Sequence, residues 1–64
     1  MKKLEERRKA KGFTQQELAT ASGVTYVSIG RYERGERVPD INTAAKLAAA
    51  LGCTVDDLIE KESA

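Results

Sequence analysis

Thr14 and Thr25 each open a stretch with the signature of a helix start, and Gly23 stands two residues before the second. In Thr14-Gln15-Gln16-Glu17 the threonine hydroxyl is placed to accept the Glu17 amide proton while the Glu17 carboxylate reaches back to the Thr14 amide, a reciprocal capping box. Phe13 before the cap and Leu18 at the fourth helical position are spaced to close over it as a hydrophobic staple. Gly23 takes the left-handed backbone that ends a helix, Val24 follows as an apolar plug, and Thr25 caps the next helix. A helix over about Gln15 to Ser22 and another over about Tyr26 to Arg34 are therefore joined by about three residues. So short a turn makes the two cross steeply, as a helix-turn-helix. Ala19 is the small residue such a crossing needs, and Leu18, Val24, Ile29 and Tyr32 supply the apolar surface that locks it to the rest.

Similar punctuation accounts for nearly the whole chain. Lys2 to Lys11, rich in Lys, Arg and Glu and stopped by Gly12, reads as a first helix with a Glu5–Lys9 pair at i,i+4. Pro39 disfavours helix at Val38, Asp40 caps a fourth helix over about Ile41 to Leu51, and Gly52 stops it. Thr54 with Asp57 repeats the capping box for a short fifth helix through Val55, Leu58 and Ile59. The predicted fold is all-α, one compact five-helix bundle over residues 1–64, with a tail frayed from about residue 61. Nine of the apolar residues are alanine, so the core is thin for a domain near the lower size limit.

Composition narrows the function classes. The chain has no histidine and a single cysteine, Cys53, so neither a zinc site, nor a disulfide within the chain, nor a Ser-His or Cys-His nucleophilic pair can be written. Cys53 beside Gly52 reads as a small buried filler, and Asp56 and Asp57 at a helix start favour the cap and the dipole rather than catalysis. An enzyme is not expected, nor any cofactor, metal or small-molecule substrate. The longest apolar run, Ala48-Ala49-Ala50-Leu51, is far short of a membrane span. With no secretory apolar core at the N-terminus, the expected location is the cytoplasm.

Charge points to a polyanion. Residues 1–37 carry nine lysines and arginines against five acids, and the remainder carries two against five. A helical wheel for the third helix, at 100° per residue, puts Ile29 and Tyr32 on one side and Val27, Gly30, Arg31 and Arg34 on the other, with Tyr26 on the flank. An outward stripe of two arginines, a small apolar side chain and no acid suits a DNA major groove. Arginine forks onto guanine O6 and N7, and Val27 is sized for a thymine methyl. The start of the second helix offers free amides and a positive dipole end to a phosphate, with Gln15 adding a side-chain donor. Arg37, in the loop after the third helix, is placed for the backbone on the far side.

As a set, Lys11-Gly12-Phe13-Thr14-Gln15-Gln16-Glu17-Leu18-Ala19, Ser22-Gly23-Val24-Thr25, Ser28-Ile29-Gly30-Arg31-Tyr32-Glu33-Arg34-Gly35 and Leu47-Ala48-Ala49-Ala50-Leu51-Gly52 resemble the lambda-repressor/Cro-type helix-turn-helix regulators, over about residues 4 to 59. The resemblance implies a lambda repressor-like DNA-binding domain whose third helix enters the major groove, commonly as a dimer on a palindromic operator. It matches Gln15 to a phosphate-anchoring glutamine and Thr25 to the recognition-helix cap. Tyr26, Val27 and Arg31 match base-reading positions, and Ser28 and Arg34 match backbone-contacting ones. Arg8 and Glu33 match a structural ion pair tying the first helix to the end of the third. Gly30, mid-helix where a longer side chain is usual, departs from the pattern and costs about 1 kcal/mol relative to alanine.

The resulting expectation is a sequence-specific double-stranded DNA-binding transcriptional regulator, read as a repressor. A homodimer is expected through the C-terminal helices, using apolar residues such as Val55, Leu58 and Ile59; the alternative for each is the monomer's own core, which is the preferred reading for Leu58. The rival class is a protein-binding adaptor, coactivator-like or toxin-neutralising, on the same fold. An adaptor has no need for Arg31 and Arg34 to be free of acids, which discriminates the two.

Overall fold

A computed structural model describes residues 1–59, and the expected frayed tail lies outside them. Four α-helices follow in order, α1 (Lys2–Ala10), α2 (Gln15–Ser22), α3 (Tyr26–Glu33) and α4 (Ile41–Leu51), and no strand occurs among the described residues. The helix starts are where capping chemistry places them. Thr14 Oγ1 accepts the Glu17 amide at 3.0 Å while the Thr14 amide donates to Glu17 Oε1 at 2.9 Å, completing the capping box. Thr25 Oγ1 accepts the Ser28 amide at 3.2 Å and Asp40 Oδ1 the Thr43 amide at 2.7 Å, so α3 and α4 each begin on a satisfied donor. Between α2 and α3, Gly23 adopts φ +75° and donates its amide to the Ala19 carbonyl at 2.9 Å, the left-handed stop that lets the chain reverse within a few residues.

The expected fifth α-helix is instead a single 3-10 turn, Asp56–Leu58. The Thr54–Asp57 capping box does form, with bonds of 3.0 and 3.2 Å, but the backbone bonds that follow close three residues back rather than four. Leu58 explains the tight geometry. It is completely buried, and Ile59 has already turned into extended backbone, so the segment ends once that one side chain is seated.

Each element contributes one completely buried large side chain: Leu4 from α1, Leu18 from α2, Ile29 from α3, Leu47 from α4 and Leu58 from the 3-10 turn. Burial of each contributes about 1.5–3 kcal/mol relative to exposure. Helix α2 packs against both α3 and α4, and α1 packs against α3 and the 3-10 turn. The alanines of α4 divide by helical phase. Ala44 and Ala48, one turn apart, are buried while Ala45 and Ala49 are exposed. Buried Ala19 on α2 and Val24 after it join the same core, as do Tyr32 and the half-buried Phe13, Val55 and Cys53. The two residues that hold α3 from behind, Ile29 and Tyr32, therefore fix which of its faces is turned outward.

Candidate nucleic-acid interface

On α3, the core side and the free side divide as a 3.6-residue period requires. Tyr26 and Val27 are 50% and 59% exposed, high values for large apolar side chains, and Arg31 and Arg34 are exposed beside them. Ser28 is half-buried, its hydroxyl accepting a hydrogen bond from Thr25 Oγ1 at 2.8 Å, so those two side chains first serve the cap of α3. Arg37 is exposed in the loop that leads from α3 to α4.

Arg8 and Glu33 set the position of α3. Arg8 Nε donates to Glu33 Oε2 at 2.6 Å, Nη2 to Oε1 at 3.1 Å, and Nη1 to the Phe13 carbonyl at 2.8 Å. Side-chain exposures of 10% and 3% make this a buried, bidentate pair that joins α1, the loop before α2 and the end of α3. Burial pushes the Glu33 carboxyl up, but hydrogen bonds from Arg8 and Gln15 outweigh it and hold the group below the usual carboxylate range. Arg8 is correspondingly raised by its bond to Glu33, against the opposing effect of burial.

Gln15, expected to add a side-chain donor for a phosphate, is half-buried and uses one of its two amide N–H donors within the protein. Its Nε2 donates to Glu33 Oε1 at 3.0 Å, so this donor faces the buried pair. The backbone amides of Gln15 and Gln16 remain at the start of α2, where no intrahelical acceptor exists for them. The Gln15 side chain ties α2 to the end of α3 through its bond to Glu33.

Arg34 also corrects the picture of an outward stripe free of acids. The stripe holds no acid within α3, yet Glu36 in the following turn takes Arg34 Nε at 2.6 Å, with both side chains more than half exposed. That bond holds the Glu36 carboxyl below its ordinary range, and raises Arg34. The guanidinium lies across Gly30, which is buried in consequence although it faces outward on the wheel. Reasoning from residue types overlooked Glu36, because helical spacing stops at Gly35, and left Gly30 without a reason. The available signal was the four-residue column Tyr26, Gly30, Arg34. Alanine at position 30 is expected to stabilise the isolated domain by about 0.5–1 kcal/mol, because only the movable end of Arg34 stands in its way. Thermal melts of the Gly30→Ala variant measure this, and a lower melting temperature would show that Arg34 cannot yield.

Of the three C-terminal apolar residues, Leu58 belongs to the monomer core, as preferred for it, Val55 is half-buried against that core, and Ile59 is 43% exposed. Val38 and Ile41, on either side of Pro39, are more exposed still, at 83% and 71%. Among the described residues, no group of three or more His, Cys, Asp or Glu side chains could hold a metal ion, and no helix is long and apolar enough to cross a membrane.

Comparison with known proteins agrees with this geometry. The helix-turn-helix family model matches residues 4–58. The chain is 38% identical over 58 residues to the SPbeta prophage-derived uncharacterized HTH-type transcriptional regulator YonR of Bacillus subtilis, covering 91% of this chain and 54% of that one. It is 36% identical over 56 residues to the cryptic phage CTXphi transcriptional repressor RstR of Vibrio cholerae, covering 88% and 50%. The chain thus spans about half the length of these relatives. Among solved structures, the restriction-modification controller protein C.AhdI from Aeromonas hydrophila superposes with a TM-score of 0.86 at 38% identity, over 91% of this chain and 88% of that one. With an exposed outward face on α3, a buried Arg8–Glu33 brace behind it and matches over nearly its full length, the chain belongs to the lambda-repressor/Cro-type helix-turn-helix family.

Proposed function

We infer that this chain is a sequence-specific double-stranded DNA-binding transcriptional regulator that acts as a repressor and carries out no catalysis. The observation that carries the reading is the face of α3 formed by Tyr26, Val27, Arg31 and Arg34, exposed on a helix whose opposite side is anchored by Ile29 and Tyr32. Tyr26, Val27 and Arg31 read base edges in the major groove, while the amides at the start of α2 and Arg37 fix the domain on the phosphates. The name of the Vibrio cholerae relative supports repression as the sign of regulation. Two copies paired through exposed apolar residues such as Ile59 would present two recognition helices to a palindromic operator, and the cytoplasm is where such a regulator meets DNA.

Selecting bound duplexes from a random pool tests the reading. The expected product is one short motif, repeated with inverted symmetry when two copies bind. Affinity should fall linearly with salt on logarithmic axes as counterions leave the phosphates. Enrichment of no motif would contradict it. Arg37→Ala is expected to weaken all duplexes alike and to reduce the salt slope by about 1, read by titrating selected and random DNA across a salt series.

A further inference from the structure

Tyr26, Gly30 and Arg34 fall four residues apart and so form one column along the exposed side of α3. In that column the Arg34 side chain runs back toward the start of the helix. A β-carbon at position 30 would stand 3.0 Å from its Nη1 and 3.7 Å from its Cζ. From the other side, Glu36 holds Nε at 2.6 Å across the turn at Gly35. An exposed arginine at a helix end ordinarily samples many rotamers, and ordering it at the moment of binding costs affinity. Here a missing side chain beneath the guanidinium leaves room for it and a carboxylate at its edge favours one position over the others.

That position matters chemically. With Nε occupied, the guanidinium keeps the four N–H donors of its Nη1–Nη2 end, the fork that matches guanine O6 and N7. Lying over Gly30, it is about 5.4 Å, one helical turn, nearer the start of α3 than position 34 itself, and so closer to Tyr26 and Val27. We propose that Gly30 and Glu36 make Arg34 a preset base-reading residue, directed at a guanine-bearing base pair in the major groove, where family resemblance gives it only a backbone contact. The proposal rests on the DNA-binding reading above. Glu36 has a second consequence, because its negative charge is repelled by the polyanionic duplex and weakens binding to every sequence, while the fork it orients favours one base pair.

The test measures affinities for the selected duplex, for single-base-pair variants of it, and for random DNA. The proteins are the full chain and its Arg34→Ala, Glu36→Gln and Gly30→Ala variants, the last two also combined with Arg34→Ala. Arg34→Ala is expected to lose about tenfold in discrimination at one base pair. Glu36→Gln and Gly30→Ala should relax preference at that same pair, Glu36→Gln should bind random DNA more tightly, and neither should change discrimination further once Arg34 is absent. Equal weakening of all duplexes by Arg34→Ala would overturn the proposal, as would base preference left intact by Glu36→Gln and Gly30→Ala in proteins that melt normally. Arg31→Ala separates the two levels of inference. Preference relaxed by Arg31→Ala but not by Arg34→Ala overturns this proposal alone, whereas a wild-type chain with no preference for any duplex overturns the DNA reading and this proposal with it.

Discussion

Replacing Glu33 by alanine is expected to remove about 3–5 kcal/mol of folding stability, the cost of leaving the buried Arg8 guanidinium without its partner. A chain of this length has only about 3–10 kcal/mol in total, so the substitution removes a large share of its stability. The loss exceeds that of an ordinary surface pair because three elements depend on the one carboxylate. Arg8 reaches it from α1, Gln15 from α2, and Glu33 itself closes α3. Urea titration followed by far-UV circular dichroism checks the magnitude, and a shift of under about 1 kcal/mol would show that the pair is no brace.

The same carboxylate gives the stability a pH dependence of known sign. Since the folded-state pKa of Glu33 lies below its unfolded value, its contribution is fully present above about pH 4.3, the ordinary glutamate value, and is lost as pH falls through the folded pKa. Acid should therefore unfold the domain earlier than it would a domain whose carboxylates were all unpaired. A Glu33→Gln variant, less stable at neutral pH, should lose part of this acid dependence.

Arg31→Ala is expected to cost about 1–3 kcal/mol on the selected duplex, to relax preference at one base pair, and to leave folding unchanged. Arg31 is exposed on the outward side of α3, and Glu36, which hydrogen-bonds Arg34, acts on Arg31 only through space. Its guanidinium is therefore ready to make a bidentate contact without first breaking a bond, and its loss should appear as faster dissociation from the specific site. Fluorescence anisotropy with labelled specific and random duplexes reads both quantities. Equal losses on the two would remove the base-reading role.

Local chemistry made much of this architecture legible in the residues. Caps and stops act within four or five positions, so Thr14, Gly23, Thr25 and Asp40 set the limits of α2 and the starts of α3 and α4 without reference to the rest of the molecule. The outward direction of Arg31 was also legible, because Ile29 and Tyr32 leave α3 only one way to face the core. Three features were not. The fifth helix shortened to a 3-10 turn because seating Leu58 in the core overrode the preference its capping box expressed. The Gln15–Glu33 bond spans eighteen positions and depends on where α2 and α3 meet, which spacing along either helix does not reveal. The placement of Arg34 over Gly30 required knowing that Glu36 turns back beyond the helix end, outside any helical wheel.

The central claim is that the exposed side of α3 is the surface that meets the duplex. Titrating isotopically labelled protein with the selected duplex, and following backbone and arginine side-chain resonances by NMR, measures this directly. The expected perturbations lie at Gln15 and Gln16, at Tyr26, Val27, Arg31 and Arg34, and at Arg37, and with random DNA those at Tyr26, Val27, Arg31 and Arg34 fade while the phosphate-contacting ones persist. Perturbations concentrated instead along Lys3, Arg7 and Ala10 of α1, with α3 unmoved at saturation, would contradict it.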